Sequence, residues 1–202
     1  MEFFDRAWGF ILAGGPVMWP LLAVSVWLWT LILAKALWLW RVGRERVDLD
    51  LAVECLLGHA APPPAKRGLL YDALAMYLDL PSHGGPGDAI LWDVAVRHQR
   101  PRLRRYLDTI LVLVAVAPLL GLLGTVTGMI ETFQVICIFG TGNAQSMASG
   151  ISEALITTQT GLMVAVPGML AGWALRRAAG RRMNELLAFQ KAVGSWLESK
   201  EA

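Results

Sequence analysis

Three apolar runs of membrane length restrict what this 202-residue chain can become. The first, 16–40, carries a single charge, Lys35, near its end. The second, 109–130, and the third, 154–175, carry none. Each holds about 22 residues or more, about 33 Å as helix, which crosses a hydrocarbon core of about 30 Å. The rest of the composition agrees. The chain is 55% hydrophobic with a mean hydropathy of +0.50, and its 17% of charged residues falls below the roughly 25% of soluble domains. The predicted fold class is an all-α integral membrane protein with three transmembrane helices.

The distribution of Lys and Arg predicts the orientation. Ten lie in 41–108 and six in 176–202, but none in 131–153. The first fifteen residues carry only Arg6, against Glu2 and Asp5. Basic loops stay in the cytoplasm. The N-terminus is therefore expected on the periplasmic side, with a cytoplasmic loop at about 41–108, a short outer loop and a cytoplasmic tail at about 176–202. Spans two and three are expected to extend into the cytoplasm as helix. The first run reads as a retained span, because it is too long for a signal peptide and no small-x-small cleavage site follows it. The net charge of +2 gives no reason to expect a nucleic-acid partner.

Along the chain, Phe3, Phe4, Ala7, Trp8 and Ile11 fall at helical spacing, so 2–13 reads as a short amphipathic helix on the outer surface. The alternative is that it extends the first span past Gly14-Gly15-Pro16. The first span is rich in Trp and Leu, which suits a lipid-facing helix, and Lys35 is expected to snorkel to the inner interface. In the cytoplasmic loop, Leu49, Val53, Leu56 and Leu57 mark one short helix, and Leu69, Leu70, Ala73, Leu74 and Tyr77 mark another. Pro62-Pro63-Pro64 separates them. A further helix starts near Ala89 after Asp88 and runs toward span two as one long helix, with Pro101 either kinking or breaking it. The whole of 1–202 reads as a single membrane domain.

Spans two and three differ from the first. In 118–131, Gly121, Gly124 and Gly128 share a helix face, and Gly124-x-x-x-Gly128 is the small-residue pattern that lets membrane helices touch. Thr125 and Thr127 place hydroxyls among them, and Pro118 opens the stretch. The third span repeats this chemistry with Gly161, Gly168 and Gly172, Thr157, Thr158, Gln159 and Thr160, and a mid-span Pro167. Either the two helices line a shared cavity, or Gly and Thr serve only packing. His59, His83 and His98 are scattered, so no metal site is expected. No P-loop, G-x-S-x-G or dinucleotide motif is present, so the chain reads as a non-enzyme without a cofactor. Neither Cys55 nor Cys137 is given a role.

G-L-L-G-T-V-T-G-M-I-E-T-F, then G-I-S-E-A-L-I-T-T-Q-T-G-L and A-V-P, resembles the MotA/TolQ/ExbB proton-channel family, closest to its ExbB branch. The resemblance covers about 118–173. It implies a pentamer in the bacterial inner membrane around an ExbD-like single-span partner. It also implies that the complex uses the proton motive force to drive a TonB-like protein and so energise outer-membrane import. A TolQ-like envelope motor or a scaffold without ion coupling are the alternatives. The family motif implies ion-pathway roles for Thr125, Glu153 and Thr158. Thr157, which shares a helix face with Glu153, is the second choice for the third-span hydroxyl. Pro118 and Pro167 match prolines that shape pore helices, while Gln159 departs from the small residue expected there.

The spacing of charges supports the same pair of threonines. Thr125 lies 17 residues beyond Asp108 and Thr158 lies 18 before Arg176. Both hydroxyls are therefore about 25–27 Å from the inner surface. Neither 109–130 nor 154–175 contains Asp, Glu, Lys, Arg or His, yet a proton relay through lipid needs an ionisable group. An Asp from the ExbD-like partner is expected to supply it. The outer-membrane cargo and the choice between proton and sodium stay open.

Overall fold

A computed structural model describes residues 2–44, 54, 68–79, 88–140 and 143–201. Its elements are α1 (Glu2–Ala13), α2 (Met18–Arg44), α3 (Leu69–Leu78), α4 (Asp88–Arg104), α5 (Leu107–Phe139) and α6 (Ala144–Glu201). Three segments are long and apolar enough to cross a membrane: Met18–Val42, Ile90–Phe139 and Ala144–Trp196. Among the described residues there is no strand. The helix expected around Leu49, Val53, Leu56 and Leu57 lies outside the described residues, as do Pro62–Pro64, His59, His83 and Cys55. The chain divides into two compact units, one of 1–33 with 108–173, the other of 34–107 with 174–202.

In the first unit, α1 stops where Gly-Gly-Pro predicts a break. Gly15 takes a left-handed φ of 65°, which glycine adopts without a Cβ penalty. Its carbonyl accepts the Met18 N–H at 3.2 Å to start α2. Trp8 meets Trp19 edge to face at 6.2 Å across this turn. At the other reversal, Gly140 takes φ 63° after α5. Asn143 then caps α6, its Oδ1 accepting the Ser146 N–H at 3.2 Å, the usual way to satisfy an orphan donor in a first helical turn.

α5 and α6 run antiparallel in this unit, and their register is read from the glycines. A Cβ on Gly172 would meet Ile110, one on Gly168 would meet Val114, one on Gly161 would meet the Ala117 carbonyl, and one on Gly128 would meet Ala154. Residues advancing along one helix thus meet residues retreating along the other. At Gly161 the hypothetical Cβ would lie 2.8 Å from the Ala117 oxygen, so the two backbones touch with no room for a side chain.

The second unit is packed around Trp92. Its ring meets Tyr77 edge to face at 6.0 Å and Phe189 at 5.9 Å, and its Nε1–H donates to the Gln190 carbonyl at 3.1 Å. Leu74, Val96, Leu103, Leu186 and Val193 are buried in the same unit. The Gln190 side chain is bonded at both ends, accepting from Arg100 at 2.8 Å and donating to Asp93. A buried amide needs such partners to offset its desolvation.

One expectation is corrected in this unit. The helix leading to span two is broken, but not at Pro101, which lies inside α4. The Arg105 N–H still reaches the Pro101 carbonyl at 2.9 Å. The break comes at Tyr106, whose φ of 68° is left-handed and ends the right-handed turn. Lys35 finds a protein partner rather than open water. It is 4% exposed, and its Nζ donates to the Arg102 carbonyl at 2.9 Å. That carbonyl is among those a helix end leaves without partners. Lys35 therefore caps α4, and its ammonium also lies 4.4 Å from the centre of the Trp38 ring.

Candidate ion-pathway site

The site is built along the seam of α5 and α6 within the first unit. Gly121, Gly124 and Gly128 fall on the α5 face that meets α6 because three- and four-residue steps keep to one side of a helix. Gly121 lies against the backbone of Thr157 and Thr158, Gly124 against the Thr157 side chain, and Gly128 against Gly150 and Ala154. Gly161 fits beside Ala117 and Gly121. Small residues here determine how close the hydroxyls of one helix come to the carbonyls of the other.

Thr157 and Thr158 have different environments. Thr157 is fully buried and fills the hollow over Gly124. Its hydroxyl bonds back to the carbonyls of Ala154 at 3.0 Å and Glu153 at 3.1 Å. Thr158 is half-buried, and its hydroxyl reaches across to the Gly121 carbonyl at 3.1 Å as well as back to Ala154 at 3.1 Å. Thr125, also half-buried, donates to the Leu122 carbonyl of its own helix at 2.6 Å. By the glycine register Thr125 and Thr158 are about one helical turn apart along the seam, ~4.5 Å in depth. Each hydroxyl has one proton, already given to a carbonyl, and lone pairs that can still accept. The site therefore offers hydrogen-bond acceptors about one turn apart, between apolar side chains.

Pro118 and Pro167 lie inside α5 and α6. A proline within a helix lacks the N–H that would bond four residues back, so Pro118 releases the Val114 carbonyl and Pro167 releases that of Met163. Val114 packs against Gly168. The antiparallel register therefore sets each proline level with the carbonyl freed by the other. The buried Val114 keeps spare carbonyl acceptor capacity beside Gly168, while Met163 is exposed.

Glu153 stands at the end of the seam, half-buried. Its Oε1 is buried and has no hydrogen-bond partner among the described residues. The carboxyl abuts Gly15, where any Cβ would collide with it, and Glu131 is its charged neighbour. Sequence reasoning did not find the contact with Gly15, nor the roles of Thr132 and Gly150. Thr132 is buried, donates to the Gly128 carbonyl at 2.9 Å and lies against Gly150. Following the small-residue spacing back from Gly161 through Thr157 and Ala154 would have reached Gly150.

The same stretches carry similarity to known proteins. Residues 89–187 match the model of the MotA/TolQ/ExbB proton channel family. The chain is 36% identical over 200 residues to the biopolymer transport protein ExbB-like 1 of Synechocystis, covering 93% of this chain and 76% of that protein. The chain belongs to the MotA/TolQ/ExbB family. Within that family it is also 34% identical over 138 residues to biopolymer transport protein exbB1 of Vibrio cholerae, covering 66% of this chain and 59% of that one. To the Tol-Pal system protein TolQ of Pseudomonas aeruginosa it is 32% identical over 78 residues, 39% of this chain and 34% of the other. Family membership and three membrane-length helices make this a multi-pass membrane protein of the ExbB-like kind.

Proposed function

We propose that this chain is the proton-channel subunit of an ExbB–ExbD-like motor in the bacterial inner membrane. The motor uses the proton motive force to energise a TonB-like protein and, through it, import across the outer membrane. The observation that carries this reading is the threonine–glycine seam. Acceptor hydroxyls of Thr125 and Thr158 lie about one turn apart in an apolar surround, with Glu153 at its end. The ExbB-like 1 and exbB1 relatives match more of the chain than the TolQ relative does, which supports TonB-type over Tol-type work.

The reading places the N-terminus outside and 41–108 inside, following the Lys and Arg bias. Five copies surround the partner span, with α5 and α6 inward and α2 toward lipid. Glu153 and Glu131 gather protons at the outer end. Thr125 and Thr158 accept hydrogen bonds from a protonated Asp of the partner or from water beside it, while Pro118 and Pro167 give the helices room to shift. A proton falling through the membrane releases about 2.3 kcal/mol per 100 mV, and the complex uses it by favouring one arrangement over another.

The test is Thr125→Val and Thr158→Val in cells lacking the native chain. Each change keeps size and removes the acceptor. Energy-dependent uptake through an outer-membrane receptor should fall to background while the complex still assembles. Normal uptake and normal detergent resistance in both variants would refute the site. Normal uptake with loss of detergent resistance would move the assignment to Tol-type work.

A further inference from the structure

We propose that the basic cavity beside the Arg-rich end of α2 binds the phosphate of an anionic membrane phospholipid. The cavity, about 320 Å³, is lined by Ala34, Lys35, Trp38, Arg102, Arg105 and Tyr106, all within the second unit. It is wide enough for a phosphodiester with its glycerol, in the usual size range of small-ligand sites.

The charges around it do not balance. Arg102 is paired, its Nη1 donating to Asp72 at 2.6 Å. Lys35 has three N–H donors, of which one goes to the Arg102 carbonyl. The Arg105 guanidinium lies 4.8 Å from the centre of the Tyr106 ring, which engages its face and leaves its in-plane donors. The ion pairs Arg97–Asp93, Arg102–Asp72 and Arg182–Glu185 involve neither Lys35 nor Arg105, and neither meets a carboxylate among the described residues. Two uncompensated cations thus share one concave wall, and one of them, Lys35, is buried. A buried charge without a counter-charge is costly, and a bound anion removes the cost.

The surroundings identify the source of the phosphate as lipid. Lys35 belongs to the membrane-length segment Met18–Val42, so an anion at its ammonium is held at the end of a membrane helix. Ala34 and Trp38 give the cavity an apolar side, and Leu37 and Trp40 on the same helix are exposed at 54% and 61%, which leaves a surface for acyl chains. The left-handed Tyr106 ends α4 and contributes to the cavity lining. This inference rests on reading the three helices as membrane spans, and not on the ion-pathway assignment.

The test uses the purified full-length complex, stripped of lipid and exchanged against dioleoylphosphatidylglycerol or dioleoylphosphatidylcholine, with retained lipid counted by native mass spectrometry. Phosphatidylglycerol should be retained about tenfold better. Arg105→Gln, at an exposed position with no carboxylate partner, should reduce that retention about fivefold, the contribution expected of one basic side chain near an anionic surface. Arg104→Gln, outside the cavity, should leave it unchanged. Lys35→Met should reduce retention at least as much, but it also uncaps α4, so Arg105→Gln decides. Equal retention of the two lipids, or full retention in Arg105→Gln, would overturn the proposal. Displacement of the lipid by inorganic phosphate would assign the cavity to a free anion instead.

Discussion

Gly15 is the most constrained residue of the first unit. Its φ of 65° disfavours any side chain, and a Cβ would run into the Glu153 carboxyl. Gly15→Ala combines a left-handed cost of about 1–2 kcal/mol with that collision. The variant should lower the thermal midpoint of the purified complex by several degrees, read by tryptophan fluorescence. Gly161→Leu belongs to the same scale. Its side chain would have to displace the Ala117 carbonyl, and overpacking of this kind costs about 1–3 kcal/mol. The expected outcome is loss of assembled complex on a sizing column, whereas Gly180→Leu, with open space around it, should assemble normally. The glycines at 121, 124, 128 and 161 could be read from spacing alone, because a helix face is a local property. The contact of Glu153 with Gly15 could not, because its two residues lie far apart in sequence and meet only in the folded chain.

Among the elements, α1, α3 and the tail of α6 were legible, each for its own reason. α1 ends at Gly-Gly-Pro, a breaker that acts without tertiary help. α3 repeats apolar residues at helical spacing. The tail of α6 follows the third span as helix, as expected, but its start at Ala144 lies within the stretch expected as an outer loop; at 58 residues it is about 87 Å long, nearly three times the hydrocarbon core. The junction of α4 and α5 was read less well, since Pro101 is the louder signal and Tyr106 the actual break. A left-handed tyrosine has no sequence signature of its own. α3, α4 and the later part of α6 hold together through Trp92. Trp92→Ala should cost about 3–5 kcal/mol, as large aromatic truncations in a core do. Limited proteolysis should then cut within 68–104 much faster than in the parent chain.

For the whole molecule, the decisive quantity is how little of the apolar surface the chain covers by itself. Only 22%, 33% and 28% of the three membrane windows are buried. Trp27, Val126 and Met163 are among the large side chains left exposed. Lipid or other protein covers the remainder, and in the proposed assembly the inward-facing part of it carries the ion path. Because 109–130 and 154–175 lack any ionisable residue, the chain reconstituted alone into liposomes should show no proton flux above empty vesicles, measured with an internal pH dye under an imposed potential. Flux should appear with the ExbD-like partner and vanish when the partner's intramembrane Asp is changed to Asn. Threonine-dependent conduction by this chain alone would reverse that division of labour.

The Lys35 cap also sets a timetable for synthesis. The ammonium and the carbonyl it serves are 67 residues apart. At about 5–20 residues per second, the ribosome delivers Arg102 roughly 3–13 s after Lys35. Through that interval the first span is already in the insertion machinery with a charge and no carbonyl to receive it, so the nascent side chain must stretch to the headgroups. Snorkelling therefore describes the newborn span and capping the mature one.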